Sequence, residues 1–589
     1  MQFRRFKLRF RRHLKRGQNQ VTDISTYAED GLERHLFKRL GHLNKVWRFI
    51  TAWILLLIIL IGGMLVQITG LSKYYQTLQP IAGGTYSEGL LGTFTNANPL
   101  YATSEVDTTV SRLVFAGLLN YDQNNKLAND LASSWDVDAT GTLYTVQLRP
   151  NLTWQDGLKL TADDVVFTFK AIQNPDAQSP LAASWQGVTI TKTNASTVTF
   201  KLTNPLAAFP YSLTTGIVPA QAFGNLPATS WRSSDFNSLH PVGAGPFEWD
   251  ALQVKGVKRT DKEVLIALKP FAGYALGMPK LNSFVVHVFT DGKTMVDTFN
   301  GNQISAMVPP GSYAQKSGNK QYDFVLTAAN MVFFNTSEGV LADAQVRRAL
   351  VQGTDVPGIQ RLLGYPTLPV RGPLLKGQIG YDPTVQQLGL DVSTAKQVLG
   401  KAGWLVGADG VRYKAGKPLS IKLASAGGRD HGKVVNGLKH DWAQLGVKTI
   451  APEYSSQDFQ NVLAAHAYDA VLYGISIGVD PDVFVYWDST QTDPRSTRLN
   501  MSLYKSTTAD AALEAGRTRL DPVLRTIKYK PFLESWKQDA PALGLYQPRY
   551  RYITHQTVYG LDAKTLNNGT DRLNNVHNWM TVTREVTNK

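Results

Sequence analysis

The chain has no cysteine among its 589 residues. It therefore forms no disulfide, offers no thiolate ligand to a metal and has no cysteine nucleophile. It also has no N-terminal cysteine that a lipid could modify. Any anchor in a membrane would have to be a segment of the polypeptide itself.

Motifs for metal and nucleotide chemistry are missing as well. The chain has no His-Glu-x-x-His segment, and its 10 histidines are scattered. Gly292-Lys293-Thr294 resembles the end of a phosphate-binding loop, but His287 occupies the position of the required earlier glycine. We therefore expect no metal site, no cofactor and no ATPase activity in this chain.

A further absence is local, because residues Phe49–Leu71 contain no Lys, Arg, Asp or Glu. A helix rises about 1.5 Å per residue, so about 20 apolar residues span a bilayer core of roughly 30 Å. Trp47 and Trp53 near one end, and Tyr74 and Tyr75 beyond the other, suit the two headgroup zones. Phe49–Leu71 is therefore predicted to be a single transmembrane helix.

The alternative is a cleaved signal peptide, which has a short basic region, about 7–15 apolar residues and a small-residue cleavage site. Here 48 residues precede the apolar run, the run is longer, and Val66-Gln67-Ile68 is a poor cleavage site. An uncleaved anchor is the better interpretation.

Residues 1–48 form a basic head with 13 Lys or Arg and four Asp or Glu, a net charge of +9 out of +15 for the chain. Basic residues beside a span stay in the cytoplasm. The head is therefore predicted inside the cell, and the body extracellular or periplasmic. Phe3, Phe6, Phe10 and Leu14 recur at near-helical spacing, which fits either a helix on the inner leaflet or a plain topology signal. Binding to nucleic acid would rest on charge alone and is not expected.

The body after the span is longer than one core normally accommodates, so two or three domains are expected. Its first part is rich in predicted strands. Residues 144–148 alternate between apolar and polar, and Phe284–Phe289 is apolar enough for a central strand. Thr161 and Asp164 form a capping box before a helix at 165–172.

From about residue 330 strands and helices alternate. Asp343 is predicted to cap one helix, while Gly403 and Gly446 are predicted to end two others. Strands are predicted at 331–335, 421–424 and 468–473. The alternation indicates a mostly parallel α/β layer covered on both faces.

Several short motifs follow one another in a fixed order along the body. The strongest group is Leu131-Ala-Ser-Ser-Trp135, Leu148-Arg149-Pro150, Trp154-Gln-Asp156-Gly157 and Thr161-Ala-Asp-Asp-Val165. Further motifs are Pro241-Val-Gly-Ala-Gly-Pro-Phe247, Val346-Arg-Arg-Ala-Leu350, Ala402-Gly-Trp404, Asp480-Pro-Asp482 and Asp539-Ala-Pro541. This ordered set, over roughly residues 85–560, resembles the family 5 solute-binding proteins of peptide and nickel ABC importers.

The resemblance implies an α/β, two-lobed class II periplasmic-binding-protein fold whose lobes close over a ligand by hinge motion. Lobe 1 would comprise residues 85–330 with 546–589, lobe 2 residues 331–545, and residues 72–84 would be a tether. The resemblance also implies a peptide or other small-molecule ligand. An ABC permease and an ATPase would be the partners and would supply the energy.

The segment Gly474-Ile475-Ser476-Ile477-Gly478 follows a predicted strand and is the main candidate for ligand contact. Peptide-binding relatives often place an acid for the ligand's amine at the position of Ile477, and an aromatic at the position of Ile475. The two isoleucines predict a site that reads its ligand mainly through backbone and apolar contacts.

The same segment matches the G-x-S-x-G elbow of hydrolases, with His555 or His577 available to Ser476 on paper. That elbow needs a helix directly after the serine, whereas Asp480-Pro481 predicts a helix that starts several residues later. Asp480 is therefore predicted mainly to cap this helix, and binding of a ligand amine is its alternative role.

Three more residues complete the predicted ligand contacts. Arg429 and His431 lie in a glycine-rich loop and are candidates for a ligand carboxylate, which suits the planar fork of arginine. The alternative is a solvated loop that opens a helix. Asn98 lies in the predicted turn 96–100 at the start of the body.

Three functions therefore compete. The preferred one is a membrane-anchored binding protein that delivers peptides or similar solutes to an ABC importer. The second is a sensor that signals through the span, which the lack of a recognisable signalling domain in residues 1–48 disfavours. The third is a serine hydrolase that uses Ser476.

Overall fold

The structure is a computed structural model that describes residues 47–256, 262–311, 313–314, 316–493, 498–562 and 565–587. The chain divides into two compact units, residues 1–79 with 583–589 and residues 80–582. The predicted basic head lies outside the described residues, apart from its last two positions.

The first unit contains helix α1, Trp47–Tyr75. Residues Phe49–Ile68 of this helix are long and apolar enough to cross a membrane, and none of them is buried. The predicted tether at 72–84 begins inside this helix and continues as strand β1, Gln76–Ile81, which pairs with the last strand of the chain.

The remaining helices are α2 Glu105–Val114, α3 Ala162–Gln173, α4 Phe209–Ser212, α5 Gly292–Asn300, α6 Ala344–Gln352, α7 Val356–Leu363, α8 Val392–Lys401, α9 Arg429–Gln444, α10 Ser456–Ala464, α11 Phe484–Trp487, α12 Thr507–Arg517 and α13 Pro522–Asp539. The remaining strands are β2 Thr85–Leu91, β3 Leu119–Tyr121, β4 Leu127–Asn129, β5 Ala132–Val137, β6 Leu143–Leu148, β7 Thr189–Asn194, β8 Thr197–Lys201, β9 Phe247–Lys255, β10 Glu263–Pro270, β11 Ser283–Phe289, β12 Ala306–Met307, β13 Lys320–Leu326, β14 Ala328–Phe334, β15 Leu368–Pro369, β16 Leu405–Val406, β17 Arg412–Lys414, β18 Lys417–Pro418, β19 Ser420–Ser425, β20 Lys448–Ile450, β21 Ala470–Ser476, β22 Ala542–Gln547, β23 Arg549–Thr554, β24 Thr565–Leu566 and β25 Val582–Thr587.

Lobe 1 is built on an eight-stranded sheet in the order β24-β13-β23-β12-β2-β11-β10-β9. Strand β11 lies between β2 and β10, so the prediction of a central strand at 284–289 is confirmed. A four-stranded sheet, β5-β6-β8-β7, contributes Tyr144, Val146 and Phe200 to the same core. Helix α3 begins with the predicted capping box of Thr161 and Asp164.

Lobe 2 is built on a six-stranded sheet in the order β15-β22-β14-β21-β19-β20. Hydrophobic clusters cover both faces, since Val332 and Phe334 of β14 belong to one cluster and Met331 and Phe333 to another. The prediction of a two-sided layer is thus confirmed. Asp343 caps α6 through the N–H of Gln345, also as predicted.

The prediction of a mostly parallel sheet in lobe 2 is wrong. Strand β19 is parallel to β20 and β21, but β14 is antiparallel to both β21 and β22. The reason is that β14 enters the lobe from lobe 1 while β22 leaves it again. Two neighbouring strands that cross the same boundary in opposite directions have to be antiparallel.

Two strand connections join the lobes, and a single residue interrupts each of them. Thr327 separates β13 of lobe 1 from β14 of lobe 2, and Pro548 separates β22 from β23. The carbonyl of Pro548 accepts a hydrogen bond from Leu326 N–H at 3.0 Å. We call residues 326–328 and 547–549 the hinge residues.

Candidate functional site

The end of β21 presents alternating side chains at the boundary of lobe 2. Gly474 and Ser476 are exposed, whereas Ile475 and Ile477 are only 2% and 7% exposed and pack in the core of lobe 2. This is the period of two expected of a strand. A ligand can therefore reach the backbone of Gly474 and the side chain of Ser476, and the two isoleucines pack behind the strand.

One edge of β21 lacks a strand partner where it reaches Gly474. Strand β19 pairs with β21 only as far as Ser425, which lies opposite Leu472. In the described part of the chain, no strand pairs with residues 473–476 on that side, while β14 pairs with them on the other. This edge offers backbone donors and acceptors to an extended molecule.

Gly474 is required by its neighbour Asn330. A Cβ atom built on Gly474 would lie 2.8 Å from Oδ1 of Asn330, which is closer than such atoms normally approach. Asn330 lies opposite both Gly474 and Tyr546 in the sheet. Burial, followed by the charge of Asp430, raises the pKa of Tyr546 to about 12. The hydroxyl of Tyr546 thus interacts with the charge of Asp430 at the start of helix α9, while its backbone pairs with Asn330 beside the strand end.

A cavity of about 550 Å³ opens between the lobes beside the start of α9. On the side of lobe 1 and the hinge it is lined by Glu105, Val308, Pro309, Gly311, Tyr313, Arg549, Tyr550 and Arg551. On the side of lobe 2 it is lined by Leu363, Gly364, Tyr365, Arg429, Asp430 and Lys433. Four of these side chains are cationic and two are anionic, so the lining favours a negatively charged ligand.

Arg429 is the cation in this cavity that is available to a ligand. It follows Gly428, whose φ of +123° allows the chain to turn sharply into α9. The side chain is exposed, and within the described residues it forms no hydrogen bond or ion pair. The first helical hydrogen bond runs from Gly432 N–H to the carbonyl of Gly428, so the amides of residues 429–431 also point out at the helix N-terminus.

The two acids of the cavity already have partners. Tyr365 donates its hydroxyl hydrogen to Asp430 at 2.7 Å, and Tyr550 donates to Glu105 at 2.6 Å. Burial and the bond to Asp430 raise the pKa of Tyr365. Each acid therefore holds a tyrosine in place through one carboxylate oxygen.

The two arginines of β23 are held by lobe 1. Arg549 donates to Asp323 at 2.6 Å, and its guanidinium lies 3.8 Å from the ring centre of Tyr365. Arg551 donates to the carbonyl of Tyr313 at 2.8 Å, and burial together with the charge of Arg549 lowers its pKa. Arg549 thus joins lobe 1 to Tyr365 of lobe 2 across the cavity.

Two of the predicted contact residues have other partners. His431 lies one turn into α9, with Nδ1 3.2 Å from the carbonyl of Ala426, and burial lowers its pKa. It is therefore neutral near pH 7 and adds no charge to the cavity. Asn98 is buried in lobe 1, where its amide group donates to Asn237 and accepts from Leu100 N–H.

The prediction that Asp480 caps a helix at Pro481 is wrong. No helix begins there, since α11 starts at Phe484 with Val483 as its N-cap residue. Both carboxylate oxygens of Asp480 instead accept hydrogen bonds from Arg525, at 2.6 and 2.7 Å. The two side chains are 8% and 3% exposed. Asp480 joins β21 to α13 as one half of a buried ion pair.

In the part of the chain that the structure describes, no histidine or acid is arranged with Ser476 for catalysis. Its carbonyl accepts from the hydroxyl of Tyr486 at 2.6 Å. His555 stacks on Phe299 and lies 2.8 Å from the carbonyl of that residue, and His577 contacts Tyr274. These contacts place both histidines in lobe 1. The glycines around Ser476 therefore belong to a strand end.

Sequence analysis missed Arg549 and Arg551. The signal was present as Arg549-Tyr-Arg551-Tyr, because alternate residues of a strand face the same side. Tyr365 and Lys433 carried no comparable signal, since Tyr365 follows the end of α7, Lys433 lies in α9, and the packing of α7 against α9 brings them to the cavity.

The fold and the cleft define the class of the protein. Two lobes, each with its own sheet, are joined by paired hinge strands around a cavity, as in class II periplasmic binding proteins. Residues 126–517 match the model of the bacterial extracellular solute-binding proteins, family 5, and the chain belongs to that family. Members of the family are transport binding proteins and not enzymes.

Individual relatives cover most of the chain. The oligopeptide-binding protein AppA of Bacillus subtilis is 25% identical over 520 residues, which are 82% of this chain and 92% of that protein. The structure of AppA with a nonapeptide superposes with a TM-score of 0.68 at 22% identity, covering 86% of this chain and all of that one. NikZ of Campylobacter jejuni with Ni(L-His) gives a TM-score of 0.70 at 24% identity, covering 84% and 99%.

Proposed function

We propose that this protein is the membrane-anchored binding component of an ABC importer and that it captures peptides or similar small solutes between its lobes. Membership of family 5 supports the transport role, and the likeness to an oligopeptide-binding protein supports the ligand class. The helix at Phe49–Leu71 is the proposed anchor, with the head in the cytoplasm and the body outside. A permease and an ATPase are the proposed partners, and they supply the energy.

The observation that carries the proposal is that the acids near the cleft have hydrogen-bond partners, whereas one arginine in the cleft has none in the described part of the chain. Glu105, Asp430 and Asp480 already accept hydrogen bonds from neighbouring side chains, whereas Arg429 is exposed and has no such partner among the described residues. A ligand carboxylate would gain a bidentate partner at Arg429 and the amides of the α9 N-terminus. A ligand amine would have to share Glu105 or Asp430 with the tyrosine that each already binds.

The unpaired edge of β21 supports an extended ligand. A peptide that lay along residues 473–476 would add a strand to this edge. The protein would then recognise mainly the peptide backbone and depend little on the peptide's sequence. Gly474 and Ser476 leave room for such an approach because neither has a bulky side chain. In the proposed binding mode, the peptide backbone pairs with the edge of β21 and the peptide's carboxylate binds Arg429.

Calorimetry with three forms of one peptide tests this proposal. The peptide is first identified by native mass spectrometry of the purified full-length protein with its co-purified ligand. It is then supplied with free ends, with an acetylated N-terminus, and with an amidated C-terminus. Acetylation is expected to change the affinity little, whereas amidation is expected to lower it about tenfold or more, since a hydrogen bond to a charged group contributes about 1.5–3 kcal/mol.

Arg429→Gln provides the matched protein variant. It should bind the free acid as weakly as the amide, so that the effect of amidation disappears. Arg361→Gln is the control, because Arg361 is an exposed arginine of α7 paired with Asp355 and does not line this cavity. If amidation costs the same affinity in wild type and in Arg429→Gln, the carboxylate is bound elsewhere and this part of the proposal is wrong.

A further inference from the structure

Helix α13 is apolar on two opposite faces. Its inner face packs Tyr529, Phe532, Leu533 and Trp536 into the core of lobe 2. Its outer side carries Val523, Leu524 and Ile527, which are 67%, 47% and 59% exposed, and Leu520, which is 39% exposed, lies just before the helix begins at Pro522. We call these four residues the α13 stripe.

The spacing of the α13 stripe is that of a single helical face. Val523, Leu524 and Ile527 follow one another at intervals of one and three residues and so share one side of the helix, and Leu520 directly precedes its first turn. A helix that is apolar all round is normally buried, so the exposure of this second face needs a physical reason. Single apolar residues scattered over a surface need no explanation, but a row of them on one helix face forms a contiguous patch, and such patches mark interaction sites.

Charges beside the α13 stripe indicate what covers it. Arg519, Lys528 and Lys530 are exposed and flank the apolar row, while Asp521 and Glu534 are the exposed acids of the same segment. Asp521 is occupied as the cap of α13 through Leu524 N–H at 2.8 Å. An apolar row bordered by Lys and Arg is the pattern of helices that lie in the headgroup region of anionic membranes.

The position of Pro531 is consistent with shallow contact. Proline has no amide hydrogen, so the carbonyl of Ile527 has no helical partner at that position. Such a carbonyl is satisfied where water is present and is costly inside hydrocarbon. Four side chains over two turns also present much less surface than the roughly 800 Å² per partner of a stable protein interface.

We infer that the α13 stripe rests on the surface of an anionic lipid bilayer, at the level of the headgroups. The inference rests on the proposed function, because it requires α1 to anchor the protein in a membrane. Only four residues of sequence separate Tyr75, the end of α1, from Pro80, the start of the second unit. Binding through the stripe would then add to an attachment that already exists.

Lipid quenching in the full-length protein tests the inference, and the lack of native cysteines makes single labels unambiguous. Leu524→Cys, Leu57→Cys and Leu405→Cys are each labelled with an environment-sensitive fluorophore. The protein is reconstituted into vesicles of phosphatidylcholine and phosphatidylglycerol that contain a spin-labelled quencher, placed near the headgroup for position 524 and deep in the acyl chains for position 57. Leu57 reports the anchor, and Leu405 is an exposed leucine of the β16–β17 hairpin that should stay in water.

Quenching at positions 57 and 524 but not at 405 is the expected result. It should weaken at 524 in pure phosphatidylcholine, in 1 M salt, where the Debye length falls to about 3 Å, and in the variant Lys528→Gln/Lys530→Gln. The variant Val523→Ser/Ile527→Ser should remove it. Circular dichroism confirms that both variants remain folded.

Quenching at 57 alone overturns the inference and leaves the anchor and the peptide-binding role intact. Quenching at neither position overturns the inference together with the anchor. If the label at 524 responds to protein density and not to quencher lipid, the stripe binds a second copy of the chain and the inference is wrong. Equal quenching at 405 also overturns it, because the contact is then not specific to α13.

Discussion

A substitution at Asp480 distinguishes two roles for this acid, an ion pair that stabilises the fold and a contact with the ligand's amine. Its two oxygens lie 2.6 and 2.7 Å from the guanidinium nitrogens of Arg525, and both side chains are almost fully buried. Asp480→Asn removes the charge and keeps the shape, so Arg525 becomes a buried cation without a counterion. We expect the variant to lose stability and to retain its affinity for ligand.

The size of the effect follows from the burial of the pair. Removing one partner of a buried ion pair costs about 3–5 kcal/mol because the other charge stays desolvated. Asn still accepts one hydrogen bond, so we expect the lower end, about 3 kcal/mol. For a lobe of about 220 residues this corresponds to a fall in Tm of roughly 6–12 °C.

Urea unfolding followed by tryptophan fluorescence measures this change, since Trp487 and Trp536 of the 12 tryptophans pack in the core of lobe 2. The double variant Asp480→Asn/Arg525→Met should lose less stability than the two single variants added together, because no unpaired charge remains. The reasoning is refuted if Asp480→Asn unfolds within about 1 kcal/mol of wild type and no longer binds peptides with a free amine. Asp480 would then be the amine anchor.

Three further predictions concern other residues. Burial raises the pKa of Asp130 to about 7, so between about pH 4 and 7 the folded chain holds a proton that the unfolded chain has lost, and stability falls as the pH rises. Asp130→Asn should remove this dependence of the unfolding free energy on pH and be more stable than wild type at pH 8 by up to about 4 kcal/mol. Unfolding at pH 5 and pH 8 measures both effects, and the same pH dependence in the two proteins would contradict the prediction. Gly474→Ala should weaken ligand binding because the new methyl displaces Asn330, whereas Gly427→Ala, with open space around it, should bind normally in the same calorimetry. Ile477→Asp should yield unstable protein and no gain in affinity for amines, because its carboxylate would lie in the core; a well-folded variant with improved amine binding would show that position 477 faces the ligand.

Local features of the fold could be predicted from the sequence because short-range chemistry determines them. Thr161 and Asp164 are three residues apart, and their reciprocal hydrogen bonds depend on little else. Asp343 and Gly446 act in the same way at the start and end of single helices. The order of motifs over residues 126–517 then fixed the family.

Contacts between distant segments could not be read in this way. The partner of Asp480 is Arg525, 45 residues further along, and nothing in the pattern of Asp480-Pro481 distinguishes an ion pair from a helix cap. The antiparallel pairing of β14 with β22 depends on where the chain crosses between lobes, which periodicity does not encode. Arg429 could be proposed as a ligand contact because a loop rich in glycine before a helix is itself a local signal.

The hinge residue Thr327 has a mechanical consequence for the whole protein. Its carbonyl accepts hydrogen bonds from both Ile477 N–H and Gly478 N–H, each at 3.0 Å, so the pivot of lobe movement is fastened to the strand end proposed to hold the ligand. In the described residues the chain crosses between the lobes at Thr327 and Pro548, which lie side by side in paired strands. With these two residues as the proposed hinge, a ligand that shifts the end of β21 would act directly on the segment about which the lobes turn.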